Sequence, residues 1–292
     1  MNKSIDFFEN KFKISSRGEF MDILLDTLKD TYLVIPVLFI MYLCLEYFEH
    51  KQDHYSYDLY LHKYGPLLGA LLGMIPQCGF GVLASVLFIE NKITLGTLIS
   101  VFIATSEEAI PLLLTNPHMY SSLISIILLK LIIGIIAGYI IDFLFKKETY
   151  QYDIQTYHSH SHSPIVEALK RTFKIYFFIF IVNLILSYFI ETIGTDSLST
   201  ILMDRSMIQP IVSALFGFIP NCAASVILTQ LYMNQVLSFA SLLAGLITNA
   251  GLGILALIQN KVEIKIILKI CLILLIVSLC ITLPIQWFYL MG

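Results

Sequence analysis

Charge is what this sequence has least of. Only 13% of its 292 residues are Asp, Glu, Lys or Arg, against roughly a quarter in an ordinary soluble domain. No basic stripe is present, so a nucleic-acid partner is not expected. No GxxxxGK[ST] loop occurs, so nothing in the chain is built to cradle a nucleotide's phosphates. The first 31 residues lack the apolar core and small-residue cleavage site of a signal peptide. The five cysteines (Cys44, Cys78, Cys222, Cys271, Cys280) all fall in apolar segments, which excludes a secreted disulfide framework. No histidine or aspartate lies in the middle of an apolar segment as a partner for a thiol or an acid. An intramembrane enzyme is therefore the weaker reading, and no cofactor is implied.

What the sequence does have is long apolar stretches. Hydrophobic residues make up 57% of the chain. Tyr32–Phe48, Pro66–Ile89, Leu95–Leu114, Ser121–Phe145, Ile175–Ile190, Pro210–Met233, Phe239–Leu257 and Ile264–Tyr289 are each long enough to enter or cross a hydrocarbon core. They are continuous rather than alternating, which argues against a β-barrel. The expected class is an all-α polytopic membrane protein with 8–10 transmembrane segments. Residues 1–31 read as an amphipathic cytoplasmic segment whose Phe20, Ile23, Leu24 and Leu28 share a face. Residues 32–145 form a first transmembrane repeat and 175–292 a second. Residues 146–174 are a polar linker containing "HSHSHS". Trp287 and Tyr289 suit a membrane interface.

The division into repeats comes from two matching interruptions. "GMIPQCGFG" (Gly73–Gly81) is answered by "GFIPNCAAS" (Gly217–Ser225). Pro66–Leu113 aligns with Pro210–Leu257 without a gap at an offset of 144, keeping Pro76/Pro220, Cys78/Cys222 and Gly73/Gly217 in register. Discontinuous helices at corresponding positions point to a binding site at the repeat interface. Lys and Arg cluster in residues 1–31 and 146–174. Placing both clusters on the cytoplasmic side favours broken helices that cross once, hence eight spans and parallel repeats. The rival is a re-entrant hairpin with Pro76–Cys78 at its tip, which gives ten apolar segments and inverted repeats. Each arm would be about 15 Å, half a bilayer.

The interruptions hold the candidate ligands. Pro76 and Pro220 free backbone carbonyls, and Gln77, Cys78, Asn221 and Cys222 add amides and thiols beside them. In "ATSEEAIP" the carboxylates of Glu107 and Glu108 sit mid-segment, where an ionised acid costs about 3 kcal/mol or more. Such an acid is a cation ligand, a proton carrier or both. The second repeat has "TNAG" there, so the acidic function is one-sided. Thr105, Ser106, Thr248 and Asn249 are further ligands by hydroxyl, amide or freed carbonyl, although hydroxyls in membrane helices often bond their own backbone. In the linker, His158, His160 and His162 form a weak divalent-metal candidate. His50, His54 and His62 are a fainter one. Cys44, Cys271 and Cys280 read as packing.

The paired I-P-Q-C and I-P-N-C motifs, with "ITLGTLISVFIATSEEAIPLLL" and "LSFASLLAGLITNAGLGIL", resemble the ten-transmembrane heavy-metal exporter family. Its members are named as arsenic-efflux proteins or manganese transporters. The resemblance covers nearly the whole chain. It implies a permease of the bacterial cytoplasmic membrane that exports a metal or metalloid. The implied partners are the lipid bilayer and that substrate. Without a nucleotide-binding loop, the expected energy source is exchange with H+ or the membrane potential. Thiolates suit arsenite, whereas carboxylate, amide and carbonyl oxygens suit Mn2+. A carrier of another small solute is the alternative.

Overall fold

The computed structural model describes residues 57–75, 79–105, 109–114, 116–145 and 206–291, with isolated helical positions in 21–43 and 169–185. Every regular element among the described residues is a helix. The first half runs α1 (Tyr57–Gly73), α2 (Gly79–Ile89), α3 (Leu95–Ala104), α4 (Ala109–Leu114) and α5 (Tyr120–Leu144). The second runs α6 (Gln209–Gly217), α7 (Cys222–Met233), α8 (Phe239–Thr248), α9 (Leu252–Gln259) and α10 (Ile264–Met291). Leu95 and Phe239 begin equivalent helices 144 positions apart, as do Tyr120 and Ile264.

Local chemistry sets the helix ends. α2 closes in a Schellman motif: Asn91 takes φ 56°, Lys92 N–H bonds Leu87 O at 2.9 Å and Asn91 N–H bonds Phe88 O. α7 closes the same way, with Gln235 at φ 60° and Val236 N–H on Leu231 O. Each turn then launches a capped helix. Thr94 Oγ1 accepts from Thr97 N–H to start α3, and Ser238 Oγ accepts from Ser241 N–H to start α8. The caps are anchored from afar at matching positions. Thr94 donates to Asp142 on α5 at 2.8 Å, and Ser238 donates to the buried Gln286 on α10 at 2.6 Å.

These anchors also give the relative directions of α3, α5, α8 and α10. Gly96 N–H meets Asp142 near the end of α5, and Lys130, earlier on α5, reaches the end of α3 at Thr105 O. α5 is therefore antiparallel to α3. Ser238 meets Gln286 and Ser278 meets Ala244 O, so α10 is antiparallel to α8. The Lys269 ammonium lies 3.8 Å over the Phe145 ring, so the end of α5 adjoins the start of α10. α3 thus begins at the face where α10 begins, and α8 begins at the face where α10 ends. The two halves run in opposite directions.

α1 with α2, and α6 with α7, form helix pairs that turn back before crossing. Gly69 of α1 packs on Thr97 and Val101, and a Cβ on Gly73 would come within 2.7 Å of Val101 O and 3.1 Å of the Ala104 side chain. α1 therefore runs parallel to α3 and stops level with its end. The small residues permit this close approach. α2 then returns: Gly81, at its start, lies against Ala250 and Gly253, and Ile89 at its end joins the α3 turn. α6 repeats the descent, with Gly217 against Gly245 and Thr248. α7 returns to the opposite face, where Tyr232 Oη and Ser122 Oγ share a 2.7 Å hydrogen bond.

Each half therefore presents one half-depth hairpin, one broken span and one unbroken span. This corrects the parallel arrangement drawn from the Lys/Arg clusters. The parallel arrangement requires the proline segment to cross; a hairpin adds no crossing. The broken spans are the inner ones: 73% of the Leu95–Leu114 window and 94% of the Phe239–Gln259 window are buried, against 39% and 28% for the windows of the spans holding α5 and α10. On α5, Ile124, Leu128, Ile132, Ile136 and Ile140 form an exposed stripe at every fourth position. That stripe is the lipid-facing side.

Candidate functional site

Described helix ends of the two halves come together. α1 and α3 end together, as do α6 and α8, because Gly73 and Gly217 pack on the last turns of α3 and α8. Contacts between the halves then bring the pairs side by side. Ser85 Oγ on α2 donates to Gly253 O on α9 at 2.8 Å. Val82 and Val86 pack with Leu252, Leu255 and Ala256. α4 packs reciprocally on α7, with Ala109 and Leu113 beside Ile227 and Leu228. The ends of helices and the starts of others therefore face one another in the middle of the protein. Such ends carry carbonyls and N–H groups with no intrahelical partner, and in hydrocarbon each must be met by protein, water or solute.

Within this region the structure places part of the predicted set. Thr105 is buried at the end of α3, and its hydroxyl donates to Val101 O at 2.6 Å. Thr248 is buried at the end of α8, and its hydroxyl donates to Ala214 O at 2.7 Å, tying α8 to α6. Both hydroxyl protons are thus engaged by backbone. Asn249 follows with ψ 88° and accepts from Gly251 N–H at 3.0 Å, a local side-chain turn. Gly251 holds φ 53° and ψ −139°, a combination that L side chains rarely adopt. In the second hairpin Pro220 is half-buried and Asn221 is buried. Asn221 caps α7 by accepting from Ala223 N–H at 3.0 Å, which puts Cys222 at the first helical position.

Pro76, Gln77, Cys78, Ser106, Glu107 and Glu108 lie outside the described residues, as do His158, His160, His162, His50 and His54. Their flanks are placed: Gly79 opens α2, and Thr105 and Ala109 bracket the acidic dipeptide. Cys271 is half-buried and Cys280 exposed on α10, both as free thiols. A cavity between α1, α2 and α3 is apolar, lined by Leu68, Leu72, Phe80, Leu83, Leu87 and Val101, and includes none of the predicted ligands.

One polar residue escaped the sequence reading. Lys130 sits in the span taken as purely apolar, yet its side chain is only 1% exposed. Its ammonium donates to Thr105 O and, at 2.7 Å, to Leu246 O. The signal was available: a lone lysine central in a 25-residue apolar helix is costly unless it faces the protein interior.

Residues 19–196 match the family described as "Putative, 10TM heavy-metal exporter". The matched stretch takes in the first hairpin and the acidic dipeptide and stops before α6. No curated protein and no solved structure matches the chain.

Proposed function

The chain belongs to this family of heavy-metal exporters, and we propose that it is a secondary transporter moving a metal or metalloid out across the cytoplasmic membrane. The observation that carries the reading is that helix ends of two oppositely directed halves come together, where Ser85 on α2 bonds Gly253 O on α9 and Lys130 bridges Thr105 O and Leu246 O. Oppositely directed repeats with broken helices at matching positions are the architecture on which alternating access operates.

Substrate binds where the breaks meet. Backbone carbonyls beside Pro76 and Pro220 and the groups of Gln77, Ser106, Asn221 and Asn249 supply oxygen ligands. Cys78 and Cys222 supply one thiol from each hairpin. Glu107 and Glu108, bracketed by Thr105 and Ala109, supply negative charge from one half only. A carboxylate there neutralises a bound cation and releases it on taking a proton. Proton exchange or the membrane potential then drives transport. If thiolates dominate, the substrate is a soft species such as arsenite; if oxygens dominate, it is Mn2+.

The test is a thermal-shift panel of arsenicals and divalent metals on the full chain in lipid nanodiscs, followed by flux of the stabilising species in proteoliposomes. Saturable stabilisation and flux by one of them support the reading. No shift and no flux with any of them overturns it.

A further inference from the structure

Lys130 is buried in a helix whose opposite face is a stripe of lipid-exposed isoleucine and leucine. Its ammonium touches two main-chain oxygens, and they come from opposite halves. Thr105 is the residue that ends α3. Leu246 stands in the last turn of α8. Both oxygens thus lie at helix C-termini, where carbonyls lose their intrahelical donors and the helix carries partial negative charge. A cation at this point is attracted by both helices and ties the two broken spans together.

Carbonyls freed at half-helix C-termini are the groups that coordinate a transported coupling cation in carriers built from broken helices. Here the chain's own ammonium is on them. The equivalent position in the second half, 144 residues on, is Leu274, which is fully buried and apolar. Of these two equivalent positions, only the one in the first half supplies a cation.

We propose that Lys130 is a tethered cation occupying the place of a coupling Na+, so that this protein couples its halves without Na+. The inference about coupling rests on the transporter reading above; the inference about cation occupancy does not. The ammonium acts as a positioning group: it holds the end of α3, two residues before the acidic dipeptide, against α8. The side chain is tethered and stays at the junction whatever the salt, whereas a bound Na+ would be absent at low sodium.

The test uses the full chain in nanodiscs and compares wild type, Lys130→Ala and Lys130→Met by thermal unfolding in choline, sodium and methylammonium chloride. Lys130→Ala opens space at the carbonyls. It is expected to melt lower than wild type in choline and to recover more than half of the loss in sodium or methylammonium. Choline, with no N–H donor and greater bulk, gives no recovery. Lys130→Met fills the space with an apolar chain and is expected to show no cation-specific recovery; wild type shows none either. Equal melting of Lys130→Ala in all three salts overturns the proposal. Wild-type flux in proteoliposomes supplies a test that needs no variant: equal initial rates in sodium and choline are expected, and a requirement for sodium overturns it. Cation-specific recovery without flux of any substrate leaves the tethered cation standing and removes the transporter reading.

Discussion

Ser85 on α2 donates its hydroxyl to Gly253 O on α9 at 2.8 Å while also lying 2.9 Å from Gly81 O on its own helix. The bond joins a half-depth hairpin of the first half to the broken span of the second. Ser85 is fully buried. Ser85→Ala removes one interhelical hydrogen bond, worth about 0.6–1.5 kcal/mol in membrane or soluble interiors. The expected effect is a small fall in unfolding free energy with the fold kept. Ser85→Leu adds bulk where two helices touch and is expected to cost more than twice as much. Denaturant unfolding in mixed micelles checks both, and a neutral Ser85→Leu would contradict the contact.

Gly253 tests the same interface from the other side. A Cβ there would lie 2.9 Å from Gly81 O and against the Phe102 ring. Backbone and a buried aromatic would both have to move. Gly253→Ala is expected to destabilise by about 1–3 kcal/mol, the usual cost of overpacking. Circular-dichroism melts of reconstituted protein would report it as a lower midpoint.

Gly251 carries a different burden, because its backbone is at φ 53°, ψ −139°. A Gly251→Ala variant is strained whatever space surrounds it, at about 1–3 kcal/mol. Since Gly251 opens α9, the strain falls on the break itself. Flux is expected to fall together with stability, whereas Gly253→Ala acts through helix packing.

The opposed directions of the halves are open to labelling. Asn91 and Gln235 are exposed at the tips of equivalent turns, one at the start of α3 and one at the start of α8. In sealed vesicles of one orientation, an impermeant maleimide is expected to label Asn91→Cys and Gln235→Cys from opposite sides. Labelling of both from the same side would restore the parallel arrangement.

The apolar periods and the two proline motifs made the class and the interruptions readable from sequence alone. They did not reveal which way each interrupted segment turns, because a kinked helix and a hairpin bury the same residues with the same composition. That distinction lives in tertiary contacts such as Gly73 on Val101 and Ala104. The αL positions were half legible: asparagine at 91 is a common αL residue, but glutamine at 235 and lysine at 261 are not, and they adopt it because the Schellman bonds require it. Lys130 was visible as a residue and invisible as a partner. Only the fold brings Thr105 O and Leu246 O, 141 positions apart in the chain, to one ammonium.

The proposed transport of a metal or metalloid runs through a site that includes the acidic dipeptide between Thr105 and Ala109. The most direct test is initial flux of arsenite and of Mn2+ into everted proteoliposomes by wild type, Glu107→Gln, Glu108→Gln and the double Cys78→Ser/Cys222→Ser variant. Wild type is expected to accumulate one substrate above protein-free liposomes. At least one glutamine variant should lose most of that flux, and loss in the serine variant would mark the soft substrate. Flux no greater than in protein-free liposomes, or full flux in both glutamine variants, would overturn that proposal.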